Sequence, residues 1–260
     1  MNRPGEAINT KILEVQHLTK RFGGLVAVRD VSFYANYNER LGILGPNGAG
    51  KTTLFNQISG FLSSDEGSIF YKGRDIKKLK PYQRADIGLC RTFQLVRPFK
   101  EMTVKENLII PFLSPREKRL LEKSTVSMDE IIDDILDKVG LLDKKDSLVH
   151  QLPHGELKKL EVAKVSALKP DVILLDEPFG GLSAGEIDML SEYINFLNKD
   201  ENITFLIIEH RLREFMRLVD RVVVLNYGEL IAEGTPEEII NNPLVVEAYL
   251  GKGGAKIAAS

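Results

Sequence analysis

Eight residues constrain this chain more than any others. Gly45-Pro46-Asn47-Gly48-Ala49-Gly50-Lys51-Thr52 fits the pattern GxxxxGK[ST]. An apolar run at 41–44 precedes it. Leu54, Phe55 and Ile58 follow at helical spacing, with Gly60 as a stop signal. A strand, a glycine turn and a helix in this order point successive backbone N–H groups inward, beside the positive end of the helix, and so cradle phosphate. The pattern assigns Lys51 to β- and γ-phosphates and the Thr52 hydroxyl to Mg²⁺, with Thr53 near the α-phosphate. The alternative is a glycine-rich turn that binds nothing, and the strand and helix on either side argue against it.

A second apolar run, Val172-Ile173-Leu174-Leu175, ends in Asp176-Glu177-Pro178. Parallel sheets bind ligands at the carboxyl ends of their strands. Asp176 is therefore expected beside the phosphate loop as a Mg²⁺ ligand, direct or through water. Glu177 is expected to polarise an attacking water as general base. Taken alone, the two acids also fit a solvated turn; the phosphate loop upstream favours the metal and base roles.

The rest of the chain supplies a frame for these two motifs. Residues 12–18 alternate in polarity, as do Val31, Phe33 and Ala35, which predicts half-buried antiparallel strands. The runs 205–208 and 222–225, like 41–44 and 172–175, are continuously apolar and suit strands buried on both faces. From Met102 to Leu168 the signals are mostly helical. Thr103 with Glu106 and Ser127 with Glu130 read as capping boxes. Ile131, Ile132, Ile135, Leu136 and Val139 form a stripe that stops at Gly140. Thr235-Pro236-Glu237-Glu238 marks another helix start. The expected fold is α/β: a P-loop NTPase core with an antiparallel β subdomain and an inserted helical subdomain. Residues 11–250 form a single domain, with the nucleotide-binding core at 11–94 and 165–250 and the insert at 95–164. Residues 1–10 and 251–260 read as tails.

Composition removes several classes. A net charge of −2 speaks against a nucleic-acid partner. A single cysteine, Cys90, allows no internal disulfide. No stretch reaches the length of a transmembrane helix, and the N-terminus has no apolar signal-peptide core. Cys90, His17, His150, His154 and His210 show no paired metal-ligand spacing, which excludes a zinc site.

With these motifs in place, the chain resembles the ATP-binding-cassette (ABC) ATPases over about residues 12–251. Gln94, closing Arg91-Thr92-Phe93-Gln94, resembles the family's Q-loop glutamine, which joins the Mg²⁺/γ-phosphate site to the membrane subunit. Phe22 stands where the family stacks an aromatic on adenine. His210, in Ile207-Ile208-Glu209-His210, matches the switch histidine that contacts the γ-phosphate. Gly181-Leu182-Ser183 occupies the D-loop. The resemblance is nearest to the ATPase subunits of branched-chain amino-acid importers. It is carried by the Arg91–Gln94 string with Phe99, Met102-Thr103-Val104 and Glu106-Asn107, by Phe205-Leu206-Ile207-Ile208-Glu209-His210, and by Val246-Glu247-Ala248-Tyr249-Leu250-Gly251. Lipopolysaccharide-export ATPases share parts of these strings. A non-transport ABC protein and a regulatory subunit with little hydrolysis are the rival readings. The single cassette with its charge, and Glu177 with His210, speak against these two respectively.

The resemblance implies ATP and Mg²⁺ as ligands and hydrolysis as the reaction. Glu177, His210, Lys51 and Gln94 are its catalytic residues, and Thr52, Gln94 and Asp176 its metal ligands. It implies a peripheral subunit at the cytoplasmic face of the cell membrane. Its partners are transmembrane permease subunits, a head-to-tail dimer with itself or a paralogous ATPase, and an extracellular solute-binding protein.

One motif departs from the family. Leu152-Pro153-His154-Gly155-Glu156 stands where a Leu-Ser-Gly-Gly-Gln signature binds the γ-phosphate held by the opposite subunit. Pro153 has neither a hydroxyl nor an N–H, so donors are missing. His154 and Gly155 remain as candidate phosphate contacts. The expectation is a weakened signature half-site, complemented by a different partner subunit.

Overall fold

The apolar runs form the strands of two sheets. In the computed structural model, which describes residues 10–92, 98–114, 116 and 126–250, the elements up to the end of the phosphate-loop helix are β1 (Lys11–Phe22), β2 (Leu25–Asn36), β3 (Arg40–Leu44) and α1 (Lys51–Ile58). They are followed by β4 (Glu66–Tyr71), β5 (Arg74–Asp75), α2 (Pro81–Asp86) and β6 (Leu89–Arg91). Helices α3 (Val104–Phe112), α4 (Met128–Lys138) and α5 (His154–Ser166) come next. The chain then runs through β7 (Val172–Asp176), α6 (Ala184–Lys199), β8 (Thr204–Ile208), α7 (Leu212–Leu218), β9 (Arg221–Asn226), β10 (Glu229–Gly234), α8 (Pro236–Ile240) and α9 (Pro243–Leu250).

The central sheet has the order β10-β9-β3-β8-β7-β6. Strands β9, β3, β8, β7 and β6 run parallel, and β10 joins the edge antiparallel. Successive side chains of a strand point to opposite faces, and here both faces are buried. Ile173 and Leu175 enter one apolar core with α3 to α7, while Val172 and Leu174 enter another with α1 and the second sheet. That is why these strands read as continuous apolar runs and not as alternating ones. The second sheet, β2-β1-β4-β5, is antiparallel. Its residues Leu13, Val15, Val31, Phe33 and Ala35 face the same core as α1.

Helix starts follow local chemistry. Thr103 accepts the Glu106 N–H at 3.1 Å and donates its own N–H to the Glu106 carboxylate at 2.7 Å. Ser127 with Glu130 and Thr235 with Glu238 repeat the box. Helix α5 begins at His154, so His154, Gly155 and Glu156 of the signature string form its first turn and Pro153 is its N-cap. No helix among the described residues is long and apolar enough to cross a membrane.

Candidate functional site

The carboxyl ends of β3, β7 and β8 lie side by side, and each is followed by one of the singled-out loops. After β3 the chain enters the phosphate loop through glycines that no other residue could replace. Gly50, the N-cap of α1, has φ +100°, and a Cβ there would lie 2.3 Å from the Ala27 carbonyl oxygen. Gly45 has φ +152°, and its Cβ would meet the Leu225 carbonyl oxygen at 2.2 Å. These backbone approaches hold the loop against β2 and β9. Lys51 folds back over the turn, donating to the Gly45 carbonyl at 2.7 Å and the Pro46 carbonyl at 3.1 Å. Its burial pulls the ammonium below the ordinary lysine range, and the Glu177 and Asp176 carboxylates oppose that shift. Both acids are thus close enough to be felt by the loop lysine.

Glu177 follows β7 with φ +51°, a left-handed conformation that non-glycine residues seldom adopt. It is held there by its N–H to the Ile208 carbonyl at 2.9 Å and by the Gly180 N–H on its own carbonyl at 3.2 Å. Such conformations cost about 1–3 kcal/mol and gather at functional sites. The Glu177 Oε1 lies 2.9 Å from His210 Nε2. Together they close one side of a cleft of about 610 Å³. Residues Asn47, Gly48, Ala49, Gly50, Lys51, Thr52 and Thr53 form its loop wall, and Phe22 and Leu25 of the β1–β2 hairpin form its mouth. Phe22 is half exposed, and the Lys20 ammonium sits 5.7 Å from its ring centroid.

Asp176, the last residue of β7 and the neighbour of Glu177, is 2% exposed and does not line the cleft. Its Oδ2 accepts from Arg91 Nη2 at 2.7 Å. Arg91 also donates to Asn56 Oδ1 at 2.7 Å and Ser59 Oγ at 3.0 Å. The guanidinium therefore links Asp176 to α1. For Mg²⁺, the donor set fits: a hydroxyl on the cleft wall at Thr52 and a carboxylate at Asp176 are hard oxygen ligands. Two such ligands with substrate phosphates suffice for this ion. The described residues hold no group of three or more His, Cys, Asp or Glu side chains poised for a metal.

His154 and Gly155 are elsewhere. They open α5, outside the cleft. A Cβ on Gly181 would lie 2.7 Å from His154 Cδ2, so the histidine packs on the 181–183 turn. Gln94 lies outside the described residues.

Sequence reasoning passed over three side chains. Arg91 carries the ion pair to Asp176. Glu209, 2% exposed, takes three backbone amides. Tyr249 accepts the Gly45 N–H at 2.9 Å. The available signal was a charged residue closing β6 for Arg91 and one directly after β8 for Glu209; Tyr249 offered none beyond the family string that contains it.

The chain is similar to known proteins in sequence and in fold. A family model described as ABC transporter matches residues 28–180, and one described as branched-chain amino acid ATP-binding cassette transporter matches residues 229–255. The high-affinity branched-chain amino acid transport ATP-binding protein LivG of Salmonella typhimurium is 40% identical over 250 residues, covering 93% of this chain and 98% of that protein. BraF of Pseudomonas aeruginosa, described in the same words, is 39% identical with the same coverage. Among solved structures, the ADP conformation of an ATP-binding cassette of an ABC transporter aligns with TM-score 0.79 and 35% identity. That alignment covers 93% of this chain and 99% of the other.

Proposed function

The chain belongs to the ABC transporter family, and from that premise we propose that its ATP hydrolysis drives import of branched-chain amino acids. It is the ATP-hydrolysing subunit of a transporter. The observation that carries the site reading is the meeting of Glu177 and His210 at 2.9 Å on one side of a cleft walled by the glycine loop and Lys51.

In this reading the triphosphate lies along residues 45–53 and adenine stacks on Phe22. Lys51 moves from the Gly45 and Pro46 carbonyls to the β- and γ-phosphates. Thr52 and Asp176, with Gln94, would hold Mg²⁺, which would supply charge neutralisation on the phosphate oxygens. Glu177 takes a proton from water as the water oxygen bonds to the γ-phosphorus and the bond to ADP breaks. His210 contacts the γ-phosphate and, through Glu177, keeps the water in line. Positioning and charge stabilisation supply most of the rate. His154 and Gly155 belong to the partner's nucleotide in a head-to-tail dimer. Neither residue lines this chain's own cleft, which supports that assignment. Pro153 weakens this half-site, and a paralogous ATPase subunit complements it. The chain sits at the cytoplasmic face of the membrane on permease subunits, with a solute-binding protein outside.

Leucine uptake tests the reading in cells lacking this chain. Wild-type protein restores uptake, and Lys51→Ala, which removes the phosphate-loop ammonium, does not. Uptake that is normal without the chain, or fully restored by Lys51→Ala, overturns it.

A further inference from the structure

Glu209 is buried at the end of β8, yet its carboxylate faces backbone only: its hydrogen bonds among the described residues come from N–H groups of two loops. Oε1 accepts the Phe179 N–H at 2.6 Å. Oε2 accepts the His210 N–H at 2.8 Å and the Arg211 N–H at 3.2 Å. Phe179 is two residues past Glu177, and His210 follows Glu209 directly. One carboxylate therefore ties the loop after β7 to the loop after β8. A second rung runs beside it, from the Glu177 N–H to the Ile208 carbonyl at 2.9 Å. Hydrogen bonds to an ionised acceptor are stronger than neutral ones, and burial strengthens them further. Glu209 does not line the cleft, so it acts without touching nucleotide.

We propose that Glu209 is a positioning residue for hydrolysis: it fixes the separation of the two loops and so sets the contact between Glu177 and His210. The inference rests on the roles given to those two residues above. A neutral amide of the same shape cannot accept from all three donors, because its NH₂ group would face at least one N–H. The left-handed Glu177 backbone then loses part of what holds it.

Glu209→Gln in the full-length chain tests this by steady-state ATPase kinetics and equilibrium ATP binding. The expected result is kcat lower by about 10-fold or more, the scale of one lost charged hydrogen bond, with KM and ATP affinity within about threefold. In a His210→Ala background the same substitution costs less than about threefold, because the contact it sets is gone. A merely structural role would give the same loss in both backgrounds. That outcome, a kcat within about twofold of wild type, or a parallel loss of ATP affinity overturns the proposal. A His210→Ala chain with normal turnover overturns the reading of His210 and this inference with it. An impaired His210→Ala chain with a silent Glu209→Gln overturns the positioning role alone. If Glu209→Gln does not fold, hydrogen exchange on the wild type decides: the Phe179, His210 and Arg211 amides are expected to exchange slowly, and fast exchange overturns the staple.

Discussion

Helices α1 and α5 both begin without a side chain capping their first amides, whereas α3, α4, α6 and α8 begin with Ser or Thr paired to Glu three residues on. The two open starts are built in opposite ways. Gly50 precedes α1 in a left-handed conformation packed on the Ala27 carbonyl. Pro153 precedes α5 in an extended conformation and is exposed. Lys51 closes over its own loop, while His154 leans away onto Gly181. The α1 start is walled, braced and charged by its own chain. The α5 start is braced differently: His154 packs on Gly181 and Glu156 pairs with Lys144.

The largest test of this contrast concerns chemistry. Glu177→Gln leaves ATP binding intact and lowers turnover about 10²-fold or more, as loss of a general base does. Single-turnover hydrolysis alongside equilibrium binding measures both. Turnover near wild type would remove Glu177 from that role and empty the α1 side of its catalytic claim.

Backbone geometry gives the next largest effect. Alanine at Gly50 meets a carbonyl oxygen and an unfavourable φ, so Gly50→Ala loses about 2 kcal/mol of stability. Alanine at Gly155 meets Glu186 Oε1 at 2.3 Å and Leu182 Cδ2 at 3.1 Å, and Glu186 also closes the capping box of α6. Those contacts are side chains, φ there is ordinary, and alanine gains helix propensity of up to about 1 kcal/mol, so Gly155→Ala loses less than Gly50→Ala. Urea denaturation of both variants compares the two starts directly, and equal losses would erase the distinction drawn between them.

The reason one start was legible in the sequence and the other less so is physical. Glycines with fixed spacing, an apolar strand before them and a helical stripe behind are local signals, and they located the loop to the residue. Capping boxes are local too, so Thr103–Glu106 and Ser127–Glu130 were found from spacing, and the cap, proline and acids of 235–238 marked the start of α8. At α5, proline stands where a cap would be, so nothing local marked His154 as the first helical residue. The pairs that link loops are long-range: Arg91 with Asp176 across 85 positions, Phe179 with Glu209 across 30, and Gly45 with Tyr249 across 204. Spacing and periodicity cannot see these. Only the strand order β9-β3-β8-β7-β6 brings their ends together.

Pro153 itself permits a smaller test. Glu156 already stands three residues on, so Pro153→Ser completes the same box that closes four other helices. The expected gain is about 1 kcal/mol in a thermal or denaturant melt. Glu156 must first yield its contact with Lys144, which sets a limit on that gain. A loss of stability would show that the fixed φ of proline matters more to α5 than a cap does.

The smallest expected effect lies at the other end of the comparison, behind the α1 loop. Tyr249 of α9 accepts the Gly45 N–H, and burial pushes its phenol up to about 12. It is therefore a neutral hydroxyl around neutral pH. Tyr249 lies within residues 229–255, the stretch matched by the branched-chain amino acid transporter model. Tyr249→Phe keeps the ring and deletes only the acceptor, leaving the first amide of the loop to find water. One such hydrogen bond contributes about 1 kcal/mol, so ATP affinity should fall by about two- to fivefold, with kcat at saturating ATP unchanged. An isothermal titration with Mg-ATP in the Glu177→Gln background, where hydrolysis is slow, reads that shift. Unchanged affinity would mean that the loop holds its shape through Leu225 and Ala27 alone. The C-terminal helix would then be a neighbour of the phosphate site and not a part of it.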